Sequence, residues 1–239
     1  MTDRTIRTGD ETGCSAVSTV LLTDVATFGP PITSGSMTIL LADPRVRAVR
    51  VHDNGDPLVP LDFAPRVLVR AGLADRLDEA RRSLPSGVEL RVVEGHRSET
   101  DQQTIIDDYT NELRLLHPDA GEAELDRLSS RFVAPIAVAP HVAGAAVDLT
   151  LVDEAGAELW MGTPIDATPE SSDGACWFGA EVDRTARRNR RMLARALGDV
   201  GLINYPTEWW HWSYGDRYWA LLTGAEHAVY GPVEAETAA

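Results

Sequence analysis

His141-Val-Ala-Gly-Ala-Ala-Val-Asp-Leu-Thr-Leu-Val152 sets a histidine, a glycine and a carboxylate around a β-favouring run that begins at Ala145. We read it as a loop carrying His141, a turn near Gly144 and a strand carrying Asp148. A charged group inside an apolar strand must be paired or metal-bound, or it costs several kcal/mol. A second short stretch, Glu208-Trp-Trp-His211, supplies what the first lacks. Together they offer two imidazoles, one ligand carboxylate and a further carboxylate just before the last histidine. Three such ligands, His141, Asp148 and His211, suit a catalytic zinc and leave its fourth position open to water. A structural site would more often close with four ligands, usually including cysteine. Glu208 is then the candidate general base, and the chemistry is zinc-assisted hydrolysis.

The spacing constrains the geometry. His141 and Asp148 lie seven apart, so this is not the helical arrangement in which two histidines four apart share one face. In Glu208-Trp-Trp-His211 an ideal strand would send the two end residues to opposite faces. Both reach one metal only if Glu208 sits at a bent start of the strand or on a bulge. Pro206, unable to donate to a ladder, suggests a strand start around residues 207 to 209. Trp209, Trp210 and Trp212 read as packing, and His52, His117 and His227 as ordinary surface or satisfied core histidines.

Working outward, Ile39-Leu-Leu-Ala and Val46-Arg-Ala-Val-Arg-Val51 suggest short strands. Asp62 is a candidate cap for a helix carrying Val69, Leu73, Leu77, Ala80 and Leu84 on one face. Val88 to Val93 reads as the next strand. Ser98-Glu-Thr-Asp101 resembles a capping arrangement ahead of a stripe of Ile105, Tyr109, Leu113 and Leu116. A further helix is expected over about 121 to 131. Asp153-Glu-Ala-Gly156 reads as a hairpin turn between two strands, and Leu193, Leu197 and Val200 as a helix ending at Gly201. Residues 164 to 181 form the longest irregular stretch. Residues 1 to 16 and 233 to 239 read as loose tails.

Composition bounds the rest. At 239 residues with no compositional break, a single domain spanning 1-239 is expected. A formal charge of −15 argues against nucleic acid and anionic membranes as partners. No apolar run is long enough to span a bilayer, and Met1-Thr-Asp-Arg-Thr-Ile lacks the apolar region of a signal peptide. Cys14 and Cys176 are too few for a disulfide framework, which makes the cytoplasm the default compartment.

His141-x-x-Gly-x-Ala-Val-Asp148-Leu-Thr-Leu, followed by Met161-Gly162-Thr163 and by Glu208-Trp-Trp-His211, resembles the D-alanyl-D-alanine dipeptidase family of zinc peptidases, the VanX type. Glu94-Gly-His-Arg97-Ser is similar to that family's Asp-Gly-Tyr-Arg-Pro segment, and Asn189-Arg-Arg191 also fits. The matches run in family order from about residue 60 to 215. The resemblance implies that His141, Asp148 and His211 bind zinc, that Glu208 is general base and acid, and that Arg97 stabilises the oxyanion. It implies a small peptide substrate, D-Ala-D-Ala foremost, and a role connected with the cell wall.

The chain departs from the family pattern around the substrate. Ala139-Pro140-His141-Val142 stands where the family has Ser-Ser-His-Ser, His96 and Ser98 replace a tyrosine and a proline, and residues 1 to 45 hold no clear match to the family's N-terminal segment. The expected fold is α+β: a small, mainly antiparallel sheet carrying the zinc site, with helices packed on its other face. The alternatives are a related D,D-carboxypeptidase or peptidoglycan-peptide amidase acting on longer peptides, and a zinc-binding, non-catalytic interaction module on the same fold.

Overall fold

The computed structural model describes residues 38–235; the tail over residues 1 to 16 and Cys14 lie outside the described residues. The architecture is α+β. Its centre is a four-stranded antiparallel sheet of β3 (Val88–Glu94), β4 (Ala146–Asp153), β6 (His211–Ser213) and β5 (Ile203–Asn204), in the spatial order β3-β4-β6-β5. A separate hairpin pairs β1 (Leu58–Leu61) with β2 (Ala64–Arg70).

Alternation along β4 divides the molecule into a core side and a site side. Val147, Leu149 and Leu151 join the main core with Leu90 and Val92 of β3 and Trp212 of β6. Leu73, Leu77 and Ala80 of α2 (Ala71–Ser83) and Leu193 and Leu197 of α5 (Arg184–Asp199) cover that side. Asp148 points the other way and pairs across the ladder with His211. The expected helix layer behind the site is therefore observed, formed by α2 and α5.

The register between β3 and β4 shifts after Val92, so that Glu94 rather than Val93 stands opposite Asp148. Such a bulge re-aims a side chain. Here it turns Glu94 to the site face while Leu90 and Val92 stay in the core.

Two further helices flank the site side, α3 (Glu99–Leu116) and α4 (Glu122–Ser129), with a separate core of Tyr109, Leu113, Leu125, Leu128 and Val133. The Ser98 cap forms as expected, its hydroxyl oxygen accepting from Asp101 N at 3.1 Å. Of the expected stripe, Tyr109 and Leu113 are buried, whereas Leu116 is 52% exposed.

Several expectations are corrected. Val46 to Val51 is not a strand: Pro44–Ala48 forms the short helix α1, capped by Asp43, whose side chain accepts from Arg45 N. Only Val51 keeps a bridge, to Ala228. Residues 39 to 42 form no strand. The helix expected from Asp62 begins at Ala71, because residues 58–70 fold as the β1–β2 hairpin, and Val69 is a strand residue. The turn after Asp153 forms, with Gly156 at φ 77, but its second arm is a single bridge from Glu158 to Val152. Among the described residues α6 (Arg217–Thr223) is the last helix, and Val233 N donates to Val142 O at 3.0 Å.

Candidate active site

Two of the predicted site residues lie on strands of the sheet and the others on the loops around it. His141 follows a single 3-10 turn at Ile136–Val138 and sits on the loop before β4. That loop reverses at Gly144, whose φ of 63 favours glycine and where an added Cβ would also displace the end of the Leu58 side chain, 2.5 Å away. Arg70 N donates to the Gly144 carbonyl at 2.9 Å and Arg70 Nε to the Ala143 carbonyl at 2.9 Å, which fixes the turn against β2. Asp148 lies on β4 and His211 opens β6. Glu208 is not on a strand. The chain turns at Tyr205–Glu208, with Glu208 N donating to Tyr205 O at 3.0 Å, and β6 starts at His211 instead of at 207 to 209. The turn removes the alternation problem and lets Glu208 and His211 face one point.

The three ligand candidates converge. His141 Nε2 lies 3.1 Å from His211 Nδ1 and 3.3 Å from Asp148 Oδ2, and His211 Nδ1 lies 3.0 Å from Asp148 Oδ1. His141 Nδ1 is 2.7 Å from the Gly95 carbonyl, which can only accept, so the proton is on Nδ1 and the Nε2 lone pair faces the cluster. Gly95 itself lies tight against β2, where an added Cβ would stand 2.5 Å from the Leu68 carbonyl oxygen. Four ligands placed tetrahedrally on bonds of about 2.0–2.1 Å stand about 3.3 Å apart. The donor set and its spacing therefore fit zinc: these residues could hold it. Glu208 Oε2 lies 3.7 Å from His211 Nδ1, beside the trio and outside it.

Arg97 lies half-buried against the same site. Its Nε donates to Glu94 Oε1 at 2.7 Å, a second nitrogen pairs with Glu94 Oε2, and Nη1 donates to Gln102 Oε1 at 3.0 Å. Gln102 is anchored in turn, donating to the Ala134 carbonyl at 2.7 Å. Of five guanidinium N–H donors, those not engaged by Glu94 and Gln102 remain for the cavity.

These residues line a cavity of about 460 Å³, together with Asp166, Thr168 and Trp210. Burial opposes charge on His141, but the Asp148 carboxylate more than offsets it and raises the imidazole above its ordinary value. Burial likewise opposes charge on Asp148, yet the two histidines hold it well below the usual carboxylate range. Glu208 goes the other way: burial, then the nearby charges of Asp148 and Asp166, push it well up.

Sequence reasoning missed Asp166. Its backbone is in the left-handed region at φ 61, and burial, with the charges of Asp148 and Glu94, pushes its pKa up to about 6. The available signal was its place three residues after Met161-Gly162-Thr163. Glu94 lies within the arginine motif, and the bulge turns it to the site, where it pairs with Arg97. Trp209 and Trp212 pack as expected, Trp209 Nε1 donating to Thr163 Oγ1 at 2.9 Å. Trp210 is buried too, and also forms cavity wall.

A trio able to hold a metal, beside a raised carboxylate and a clamped arginine, marks a candidate metallopeptidase site. Residues 66–227 match the Peptidase_M15 family, described as D-ala-D-ala dipeptidase, and the chain belongs to that family. A D-alanyl-D-alanine dipeptidase of Synechocystis sp. is 29% identical over 238 residues, covering 78% of this chain and 96% of that protein. The D-alanyl-D-alanine dipeptidase of Escherichia coli is 38% identical over 71 residues, covering 30% of this chain and 35% of that one. Among solved structures, the D,D-dipeptidase VanXYg in complex with a D-Ala-D-Ala phosphinate analog has a TM-score of 0.42 at 19% identity, covering 76% of this chain and 69% of that one. VanYB in complex with D-alanine-D-alanine has a TM-score of 0.43 at 19% identity, covering 76% and 94%.

Proposed function

We propose that this chain, as one catalytic domain, is a zinc-dependent dipeptidase acting on a small D-amino-acid dipeptide, D-Ala-D-Ala foremost. The observation that carries the reading is the convergence of His141, Asp148 and His211 with Glu208 3.7 Å from His211, all facing one cavity. Held by the trio, zinc would supply a water acidified to a pKa of about 7 and polarise the scissile carbonyl. Glu208 takes the proton of the attacking water and passes it to the leaving amine; burial, then the charges of Asp148 and Asp166, raise its pKa in the metal-free site, a direction that favours accepting that proton. Arg97, held by Glu94 and Gln102, directs its remaining N–H donors at the carbonyl oxygen as charge develops there.

Asp166 addresses the other end of the substrate. Glu94 is committed to Arg97 and Asp148 to the histidines, whereas Asp166 has no ion-pair partner among the described residues. A free carboxylate on the wall of a small cavity suits a substrate with a free amino terminus. The loop over 164–181 contributes this residue and Thr168, which supports a compact dipeptide site. The same cavity also continues along α3 past Ile105, Asp108, Tyr109 and Glu112, which gives a second reading, a D,D-carboxypeptidase on longer peptides, its own support.

No helix among the described residues is long and apolar enough to cross a membrane. The buried free thiol of Cys176 suits a reducing compartment, and the cytoplasm is the one proposed. The experiment is zinc-dependent release of D-alanine from D-Ala-D-Ala, compared with the L,L dipeptide and with N-terminally extended peptides. The dipeptidase reading expects kcat/KM for the D,D dipeptide to exceed both; a preference for the extended peptide selects the carboxypeptidase.

A further inference from the structure

Basic residues are unevenly spread along this chain. Every one of its 22 Lys+Arg positions is an arginine, and six of them fall within residues 184–195, although the net charge is −15. These are Arg184, Arg187, Arg188, Arg190, Arg191 and Arg195 of α5; all but Arg190 are exposed. Among the described residues none of the six has a carboxylate within ion-pairing distance. Arg184 and Arg188, Arg187 and Arg191, and Arg191 and Arg195 are each four apart on one helix, so neighbouring like charges weaken the helix that carries them. Local sequence that works against its own element is a mark of a functional surface.

Beside this helix lies a second cavity, of about 350 Å³, lined by residues 178–182 with Arg187, Arg190 and Arg191. It shares no lining residue with the catalytic cavity. Arg190 is only 2% exposed. Its guanidinium donates to the carbonyls of Met161 at 2.7 Å, Trp177 at 2.6 Å and Ala175 at 2.8 Å. Those dipoles fix its position but supply no formal charge, and burial brings its pKa down to about 10. Arg187 donates to the Val182 carbonyl at 3.2 Å, again a neutral partner. The one carboxylate in the lining is Glu181. Asp183, next along the chain, is engaged in capping α5 and accepting from Trp160 Nε1. The cavity therefore presents three guanidinium groups against one carboxylate.

We propose that this cavity binds the phosphate group of a small soluble molecule, held by Arg187 and Arg191 with Arg190 fixed behind them. A doubly charged oxyanion matches the excess of positive charge, and paired guanidinium forks match phosphate oxygens. The volume leaves room for the organic part of a phosphate monoester.

The test is arginine side-chain NMR on the zinc-loaded full-length protein, titrated with inorganic phosphate, with methyl phosphate, and with phosphatidylglycerol vesicles in separate arms. Saturable shifts of the Arg187 and Arg191 Nε–H signals are expected with the soluble phosphates, with Arg97 unshifted. The Arg187→Ala/Arg191→Ala double variant should bind methyl phosphate at least tenfold more weakly. Shifts centred on Arg97, equal binding by the double variant, absence of saturation, or binding to vesicles alone would each overturn the proposal.

Discussion

Glu208 and Arg97 carry the two proposed roles of proton transfer and oxyanion stabilisation, and each can be changed with little change of shape. Glu208→Gln keeps the hydrogen-bonding outline but cannot take a proton, so zinc content should hold while turnover falls by roughly 10² to 10⁴. A loss below tenfold at full zinc would remove Glu208 as the base. Arg97→Lys keeps the charge but not the fork that Glu94 and Gln102 orient. It should lower kcat by about 10² to 10³ with a smaller change in KM. A raised KM at constant kcat would instead place Arg97 on a substrate carboxylate.

Asp166 links function to stability. Its folded-state pKa of about 6 lies above the ordinary 3.8, so the protonated form favours the fold. That contribution is complete below about pH 4 and is lost as the pH rises through about 6. Above that range the metal-free protein holds a carboxylate facing Asp148 and Glu94. Asp166→Asn should therefore stabilise the metal-free protein at pH 7.5 by about 1 kcal/mol, after allowance for solvent screening, and hardly at all at pH 4. It should also raise KM for dipeptides with a free amino terminus. Calorimetry at the two pH values checks the first part; equal melting shifts at both would contradict it.

At the scale of elements, the strands β3 and β4 and the helices α3, α4 and α5 could be read from sequence, whereas the N-terminal pieces and the loop over 164–181 could not. Leu-Thr-Leu-Val after Asp148 alternates against a buried helix layer, and Val88 to Val93 does the same, so both strands follow from pattern. Val46 to Val51 alternates just as cleanly, but Asp43 and Pro44 form a cap and first helical position, and over six residues the cap decides. Val69 fits both a helix of period four with Leu73 and Leu77 and the strand it occupies, which is why the helix start was misplaced by several residues. The turn at Tyr205–Glu208 is legible as a bend because Glu208 and His211, three apart, can face one point only across one, whereas Asp166 lies on a loop, which has no period to read. That loop is tied at Glu170, which accepts from Tyr109 Oη at 2.6 Å and pairs with Arg131. Glu170→Gln keeps an acceptor for Tyr109 but loses the ion pair. It should raise KM roughly threefold to tenfold, a loss near 1 kcal/mol, with less effect on kcat. Unchanged KM, together with unchanged proteolysis within 164–181, would show that the tie does not position Asp166.

For the molecule as a whole, the trio joins a loop, a central strand and the strand beside it, so zinc bound there stabilises the folded chain by mass action. Its removal by a chelator should lower the melting temperature, and re-addition should restore it. The central claim is that this fold brings His141, Asp148, His211 and Glu208 together to hydrolyse a D,D dipeptide. The measurement that tests it most directly is D-alanine release from D-Ala-D-Ala by protein whose zinc content is determined in the same sample. About one zinc per chain and release that vanishes on chelation and returns with zinc are expected. A fully zinc-loaded, folded protein that releases no D-alanine would contradict it.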